Sequence, residues 1–403
     1  MGKVALEKCQ DYAPENVRAA LLRCLEPLGG MRNFVKPGMK VALKPNLVMK
    51  LRPEAAGTTH PSMVREVALL VKEAGGEPIV VESPGGPYTQ PRLRAAYDEC
   101  GLTAAAQGTG LRFNFDLAET KTDNPQAKYL RMVTVLKPLR DAELIINLCK
   151  LKTHGQMAYT GAVKNMFGAI AGPLKAEFHM RMADYDRFAN AIIDIHLAVK
   201  PALNIMDAVT GMHGRGGPTA GDPIHIGLLL ASDNAFELDL AALAVVGGDP
   251  HYVPVMKEAI ERKLCPPSVE NLELCGERIE DVKVAGFRMP QAEALKAITF
   301  FDHPFMRFLC EKIKPKPVFL HDKCIGCGDC AANCPAKIIK MTDRRPEADL
   351  SRCIRCFCCQ ELCPAKAVDV SRLPGFDLAM DLGSRFFTAV GPFLGRFKRR
   401  KRR

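Results

Sequence analysis

Between Cys324 and Pro364 the chain writes one cysteine pattern twice, as CIGCGDCAANCP and then, twenty-nine residues on, as CIRCFCCQELCP. Each copy has the order Cys-x2-Cys-x2-Cys-x3-Cys-Pro. The first holds Cys324, Cys327, Cys330, Cys334 and Pro335, and the second Cys353, Cys356, Cys359, Cys363 and Pro364. Three thiolates three residues apart in a tight turn can face three corners of one cubane, and the fourth corner then needs a distant ligand. A structural zinc site gains nothing from a third cysteine at the next step. A disulfide framework needs an oxidising compartment and is usual in small secreted chains. The spacing therefore predicts iron–sulfur clusters. Both copies run on into Cys-Pro-Ala-Lys, so the repeat extends past the ligands.

In two-cluster ferredoxins the fourth Cys of each run crosses over to the other cluster. Transferred to this chain, that rule gives Cys324, Cys327, Cys330 and Cys363 to one [4Fe–4S] centre and Cys353, Cys356, Cys359 and Cys334 to the other. Cys358 has no counterpart in the first copy and is expected to be a spare thiol rather than an alternative ligand. At 403 residues the chain suits two or three domains, of which the ferredoxin accounts for 318–372. Eight of the sixteen cysteines are cluster ligands and the others are scattered singly, which reads as a reduced, cytoplasmic protein. The N-terminus has no apolar signal-peptide core, and no apolar run approaches the eighteen residues of a membrane span. The net charge of +11 is concentrated at the end, where seven basic residues from Arg396 to Arg403 leave only +4 for everything else. With no Trp and few Tyr to interleave with basic residues, nucleic-acid binding is not expected.

From residue 3 to about 290, short apolar runs alternate with amphipathic helices, which argues for an α/β domain around a mainly parallel sheet with helices on its faces. Helices are expected over Pro14–Leu28 and Pro61–Ala74, and strands over Val41–Leu43, Pro78–Val81, Glu143–Leu148, Leu203–Met206 and Ile224–Ala231. Thr58, Thr59 and His60 stand where a helix start would welcome an anion. Glu82 to Pro87 form a turn rich in residues that let backbone approach a ligand. After the strand ELIINL come Lys150, Lys152, Thr153, His154 and Gly155, and then a helix from about Gly161 bearing Lys164 and Asn165. In open α/β sheets ligands sit beyond the carboxyl ends of strands. If the chain stays extended, Lys150 and Lys152 point the same way and, with Lys164, make a basic pocket for a carboxylate or phosphate. His154 is a candidate general acid, because its ordinary pKa lies near neutrality. The loop GMHGRGGPTAGDP has five glycines between Gly211 and Gly221 and is a candidate for wrapping an anion or cofactor with backbone N–H groups. It matches neither nucleotide fingerprint.

The blocks KPNLV (44–48), TTHP (58–61), KLKTHGQMAYTGAVKNMFG (150–168), DAVTGMHGRGGP (207–218) and ASDNAFELD (231–239), in this order, resemble the DUF362 family, whose members often carry a C-terminal ferredoxin. The resemblance implies that Lys44, Asn46, Lys150, Lys152, His154, Lys164, Asn165 and Asp207 belong to one site. It brings no assigned substrate, and a further organic cofactor stays unknown.

The expected domain organisation is a DUF362-like α/β domain over 1–290, a helical connector and stiff Lys-Pro linker over 291–317, the α+β ferredoxin over 318–372, and an amphipathic segment with a polybasic tail over 373–403. An apolar helix face joined to a basic end suits the anionic inner face of a membrane. Arg355, inside the second run, is expected to favour the reduced cluster. The reading preferred from sequence is an oxidoreductase passing low-potential electrons from two clusters to an anion in the α/β domain, with His154, Lys152 and Lys164 catalytic. Lys44, Asn46, Lys150, Asn165 and Asp207 would bind substrate, and an electron donor or acceptor protein would be the partner. The alternative is a non-catalytic electron-transfer or assembly adaptor.

Overall fold

The computed structural model describes residues 2–182, 184–214, 216–290 and 316–371. The expected connector helix over 291–315 and the amphipathic, basic segment over 373–403 lie outside the described residues.

The strands are β1 (Lys3–Lys8), β2 (Lys40–Pro45), β3 (Glu77–Val80), β4 (Arg112–Phe113), β5 (Glu119–Asp123), β6 (Met132–Leu136), β7 (Leu144–His154), β8 (Ala158–Thr160), β9 (Leu203–His213), β10 (Asp222–Ser232), β11 (Glu273–Gly276), β12 (Lys316–Phe319), β13 (Ile339–Thr342), β14 (Arg345–Ala348) and β15 (Val368–Ser371). The large sheet runs β11-β1-β10-β9-β7-β2-β3-β4, with β8 paired to the end of β7. It is mostly parallel: β11–β1, β9–β7, β7–β2, β2–β3 and β3–β4 are parallel, while β1–β10, β10–β9 and β7–β8 are antiparallel.

Alternate residues of the central strands enter two separate cores. Ala42, Cys149, Leu228 and Leu230 belong to one, with Ile192, Leu243 and Met256. Val41, Leu43, Leu148, Leu229 and Ala231 belong to the other, with Val17, Leu21, Val64 and Val67. The two-residue period thus covers both faces of the sheet with helices, as an α/β pattern demands. The helix Pro61–Glu73 illustrates the local logic: Pro61 occupies the first turn, His60 accepts from the Ser62 N–H, and Met63, Val64, Val67, Leu70 and Val71 are buried along one face.

Three strands of the sheet, β7, β9 and β10, are longer than the apolar runs indicated. β7 continues past Leu148 to His154 because β8 folds back on it, pairing Lys152 with Thr160 and His154 with Ala158. β9 and β10 extend to eleven residues each as an antiparallel pair, so Gly211 to His213, expected in a loop, are strand. The strand order reverses between β2 and β7, and the carboxyl ends of these strands open onto the site.

The C-terminal module pairs β12 with β15 and β13 with β14. Lys316 and Pro317, expected in a linker, are the first residues of β12. Each cysteine run carries one short helix, Asp329–Ala332 and Cys358–Glu361.

Candidate functional site

At the carboxyl ends of β2 and β7 the buried lysines divide by partner. Lys150 Nζ lies 2.8 Å from Asp207 Oδ2 and 2.9 Å from the Tyr12 hydroxyl, which itself donates to Asp207 Oδ1 at 2.8 Å. The Tyr12 ring stacks on His60 at 3.6 Å, and the His60 N–H donates to Asp207 Oδ2. The anion expected at that helix start is therefore Asp207 itself. Lys150 and Asp207, expected to bind substrate, satisfy each other in a buried network that does not line the cavity described below. Lys44 is likewise buried and paired, with Glu82.

Lys152 donates to Asn46 Oδ1 at 2.8 Å, to the Gly57 carbonyl and to the Pro218 carbonyl at 3.3 Å. Burial, and then the charge of Lys164, pull its pKa well below the ordinary lysine range. The glycine-rich loop thus turns carbonyls, not N–H groups, toward a lysine: Gly214 accepts from the Thr153 hydroxyl and Pro218 from Lys152. Among the described residues these two loop carbonyls satisfy donors arriving from β7. Lys152 holds Asn46 and this loop in place and also lines the cavity described below.

A cavity of about 100 Å³, open to solvent on one side, lies beside these residues. The α/β domain contributes Asn46, Ser83, Gly85, Thr160, Lys164, Asn165, Lys175 and His179, and the cysteine-rich module contributes Asn333, Cys358, Glu361 and Leu362. Asn46 and Asn165 are joined at 3.0 Å, and Asn165 also donates to Asn147 Oδ1 at 2.7 Å, so both amides are fixed. Asp239 accepts the N–H groups of Ala162 and Val163 and thereby anchors the turn that presents Lys164.

Lys164 differs from the other lysines. Among the described residues its Nζ has neither hydrogen bond nor ion pair; it lies 5.8 Å from the centroid of the Phe167 ring. Burial lowers its pKa, against the opposing pull of Glu361. Lys175 donates to the Ser83 carbonyl, and burial brings its pKa down to about 7. The Thr160 and Ser83 hydroxyls and His179 Nδ1 are buried without a partner among the described residues. Uncompensated polar groups around one cavity are costly unless something binds them.

His154 joins the two parts of the molecule. Its Nδ1 accepts the N–H groups of Gln156 and Met157, and its Nε2 lies 3.0 Å from Glu361 Oε1 in the second cysteine run. Burial, and then Lys164, lower its pKa to about 4, so the ring is neutral near pH 7. His154 also lines the cavity, with Nδ1 occupied by the two N–H groups and Nε2 turned to Glu361. Burial works against the Glu361 carboxylate, yet His154 and Lys164 outweigh it and hold its pKa to about 2. Thr219 Oγ1 donates to the Glu361 carbonyl at 3.0 Å, and Arg92 meets Asp329 at 3.0 Å.

Lys175, His179, Cys358 and Glu361 were not foreseen as site residues. Lys175 and His179 are four apart, and so share a helix face, on Gly172–Arg181. That spacing is a signal in the sequence, but nothing in it links the pair to β7.

The cysteines of the module surround two small enclosed spaces. One is lined by Cys334, Cys353, Cys356 and Cys359 with Phe319, Ile339 and Phe357. The other is lined by Cys324, Cys327, Cys330 and Cys363 with Met341 and Val368. Cys358 lines neither and faces the cavity instead. The N–H groups of Gly326, Arg355 and Ala367 point to the sulfurs of Cys324, Cys353 and Cys363. Four thiols around each apolar space, with amide donors to sulfur, fit iron–sulfur clusters.

Comparison with known proteins agrees with this division. The model of a domain of unknown function, DUF362, matches residues 41–244, and that of a 4Fe-4S dicluster domain matches residues 316–364. A thylakoid-associated protein of Synechocystis sp. is 35% identical over 321 residues, 77% of this chain and 97% of that protein. Among solved structures, the lactate racemase apoprotein from Thermoanaerobacterium thermosaccharolyticum matches at 13% identity and a TM-score of 0.34, over 55% of this chain and 53% of that one. A structural-genomics protein from Thermotoga maritima matches at 13% and 0.31, over 51% and 52%. The chain spans about half the length of these two, and likeness of that degree carries no argument about the site.

Proposed function

Because this chain belongs to the DUF362 family and carries a 4Fe-4S dicluster domain, a module for electron transfer, we propose that it is an oxidoreductase reducing or oxidising an anion held between its two domains. The observation that carries the reading is the shared cavity: the helix Cys358–Glu361 of the cysteine-rich module forms one wall, and Lys164, Lys175 and His179 form the other. In this reading two [4Fe–4S] clusters, held by Cys324, Cys327, Cys330, Cys363 and by Cys353, Cys356, Cys359, Cys334, supply electrons singly at low potential.

Lys164 provides the counter-charge for the substrate, since it is a half-buried lysine of the cavity wall whose Nζ has neither hydrogen bond nor ion pair among the described residues. Lys175, with a pKa of about 7, holds a proton that it can give up or regain near neutrality, where general acid–base groups work best. Asn46 and Asn165 orient the substrate, and Lys152 orients Asn46. The His154–Glu361 contact keeps the module against the cavity, so donor and acceptor need no diffusional encounter. An electron-carrying protein partner loads the module from outside.

The test is anaerobic. The clusters of the reconstituted chain are reduced, fractions of a cell's small-molecule pool are added, and visible absorbance is followed beside Lys164→Met. A fraction that reoxidises the unmodified chain and not the variant supports the reading. Reoxidation by no fraction, or equally in both, returns the chain to the role of adaptor.

No helix among the described residues is long and apolar enough to cross a membrane. The Synechocystis relative is named as thylakoid-associated; contact of this chain with a membrane surface belongs to the same proposal and rests on the basic residues from Arg396 to Arg403. Sedimentation with anionic vesicles is expected for the full chain and not for one ending at 372, whereas equal sedimentation of both removes this part.

A further inference from the structure

The proposed function leaves the chemical class of the anion open, and the cavity walls narrow it. The wall carries charge and carbon together, and the carboxylates of Glu82, paired with Lys44, and Glu361, beside His154, belong to it. Lys164 and Lys175 line it with the unpartnered Thr160 hydroxyl and His179 Nδ1, both residues more than nine-tenths buried. Beside them Val48, Phe167, Ala176 and Leu362 present carbon to the same space. Lys164 Nζ stands 5.8 Å from the Phe167 ring centroid, so a ligand atom bound to this ammonium has an aromatic surface within reach of its next few bonds.

A bare oxyanion such as phosphate meets only the lysines and leaves the carbon wall facing trapped water. A neutral apolar molecule leaves Lys164 and the buried hydroxyl without a partner, which costs more than the apolar contact returns. One molecule satisfying both carries its charge on a single terminus and an apolar body on the other. Binding sites of this kind combine a mostly apolar wall with a few placed polar groups.

Resting on the oxidoreductase reading, we propose that the cavity takes a small monocarboxylic acid with an apolar, ring-sized body, its carboxylate on Lys164 and Lys175 and its body between Phe167 and Leu362. Leu362 comes from the cysteine-rich module, so the apolar half of the pocket is complete only when the module is docked. The ligand then reports on docking as well as on the α/β domain.

The experiment measures binding to the full chain with its clusters reconstituted, under anaerobic conditions, by calorimetry. The probes are benzoate, benzamide, formate and inorganic phosphate. Benzoate is expected to bind at least about tenfold more tightly than each of the other three. Lys164→Met is expected to weaken benzoate by about tenfold or more, and Leu362→Ala to lower the benzoate-to-formate ratio several-fold. The comparison among probes needs only the unmodified protein, so it stands if a variant fails to fold.

Phosphate or formate binding as tightly as benzoate overturns the proposal, because the apolar wall then does not select. Benzamide binding equally overturns it, because the charge then is not read. If no probe binds while a cell fraction still reoxidises the clusters, this inference falls and the oxidoreductase reading stands. If no probe binds and no fraction reoxidises them, both fall.

Discussion

Lys44, Lys150 and Lys152 are buried near the ends of β2 and β7 with Lys164 half-buried beside them, and their partners give them different roles. Lys150 and Asp207 neutralise each other, so Lys150→Ala strands a buried carboxylate and is expected to cost about 3–5 kcal/mol in denaturant unfolding. Lys164→Met removes a half-buried charge that makes no ion pair but supports the Glu361 carboxylate, and is expected to cost less than Lys150→Ala while abolishing anion binding. Equal losses for the two variants would erase the distinction. Lys175 adds a pH dependence. Burial lowers its pKa from 10.5 to about 7, so it is charged below that pH and neutral above it. Anion affinity is therefore expected to fall as pH rises through about 7, and Lys175→Met is expected to flatten the profile measured between pH 6 and 8.5. At this scale the sequence marked Lys44, Asn46, Lys150, Lys152, His154, Lys164, Asn165 and Asp207 as one group. It could not say which lysines were already paired, because Asp207 and Glu82 lie far along the chain from Lys150 and Lys44.

Elements place these residues, and two of them do so through very close contacts. The helix Gly172–Arg181, which carries Lys175 and His179, begins against the loop at Gly86: a Cβ on Gly172 would come within 1.9 Å of the Gly86 carbonyl oxygen. Gly172→Ala is expected to cost about 1–3 kcal/mol and to weaken anion binding by shifting both side chains, as read by unfolding and calorimetry together. Unchanged affinity would show that Lys175 and His179 do not face the ligand. Asp239 anchors the other turn through the N–H groups of Ala162 and Val163, so Asp239→Asn is expected to loosen Lys164 and to cost about 1–3 kcal/mol. Faster amide exchange at Ala162 and Val163 is the corresponding measurement. The alternating apolar residues of β2 and the helix Pro61–Glu73 were legible from periodicity. For the second half of β7 the sequence offered only a conditional extension of Lys150 and Lys152, and the fold-back of β8 and the buried partners make it strand.

The whole molecule is a mostly parallel α/β domain and a dicluster module that meet over one cavity. The cysteine repeat announced the module, and strand alternation announced the α/β domain. Their meeting was invisible in sequence, because it rests on single contacts such as His154–Glu361, Thr219–Glu361 and Arg92–Asp329 between distant segments. Cys358, which had no place in the repeat, lies in the cavity wall facing the α/β domain. The central claim is that electrons pass within one chain from the module to the cavity. It is tested most directly by the reoxidation rate of the reduced, reconstituted chain with a saturating oxidising fraction, measured over a hundredfold dilution of protein. Transfer within the chain predicts a first-order rate that dilution leaves unchanged and that Lys164→Met abolishes. A rate that falls in proportion to protein concentration, or that appears only when a partner protein is added, would contradict the account.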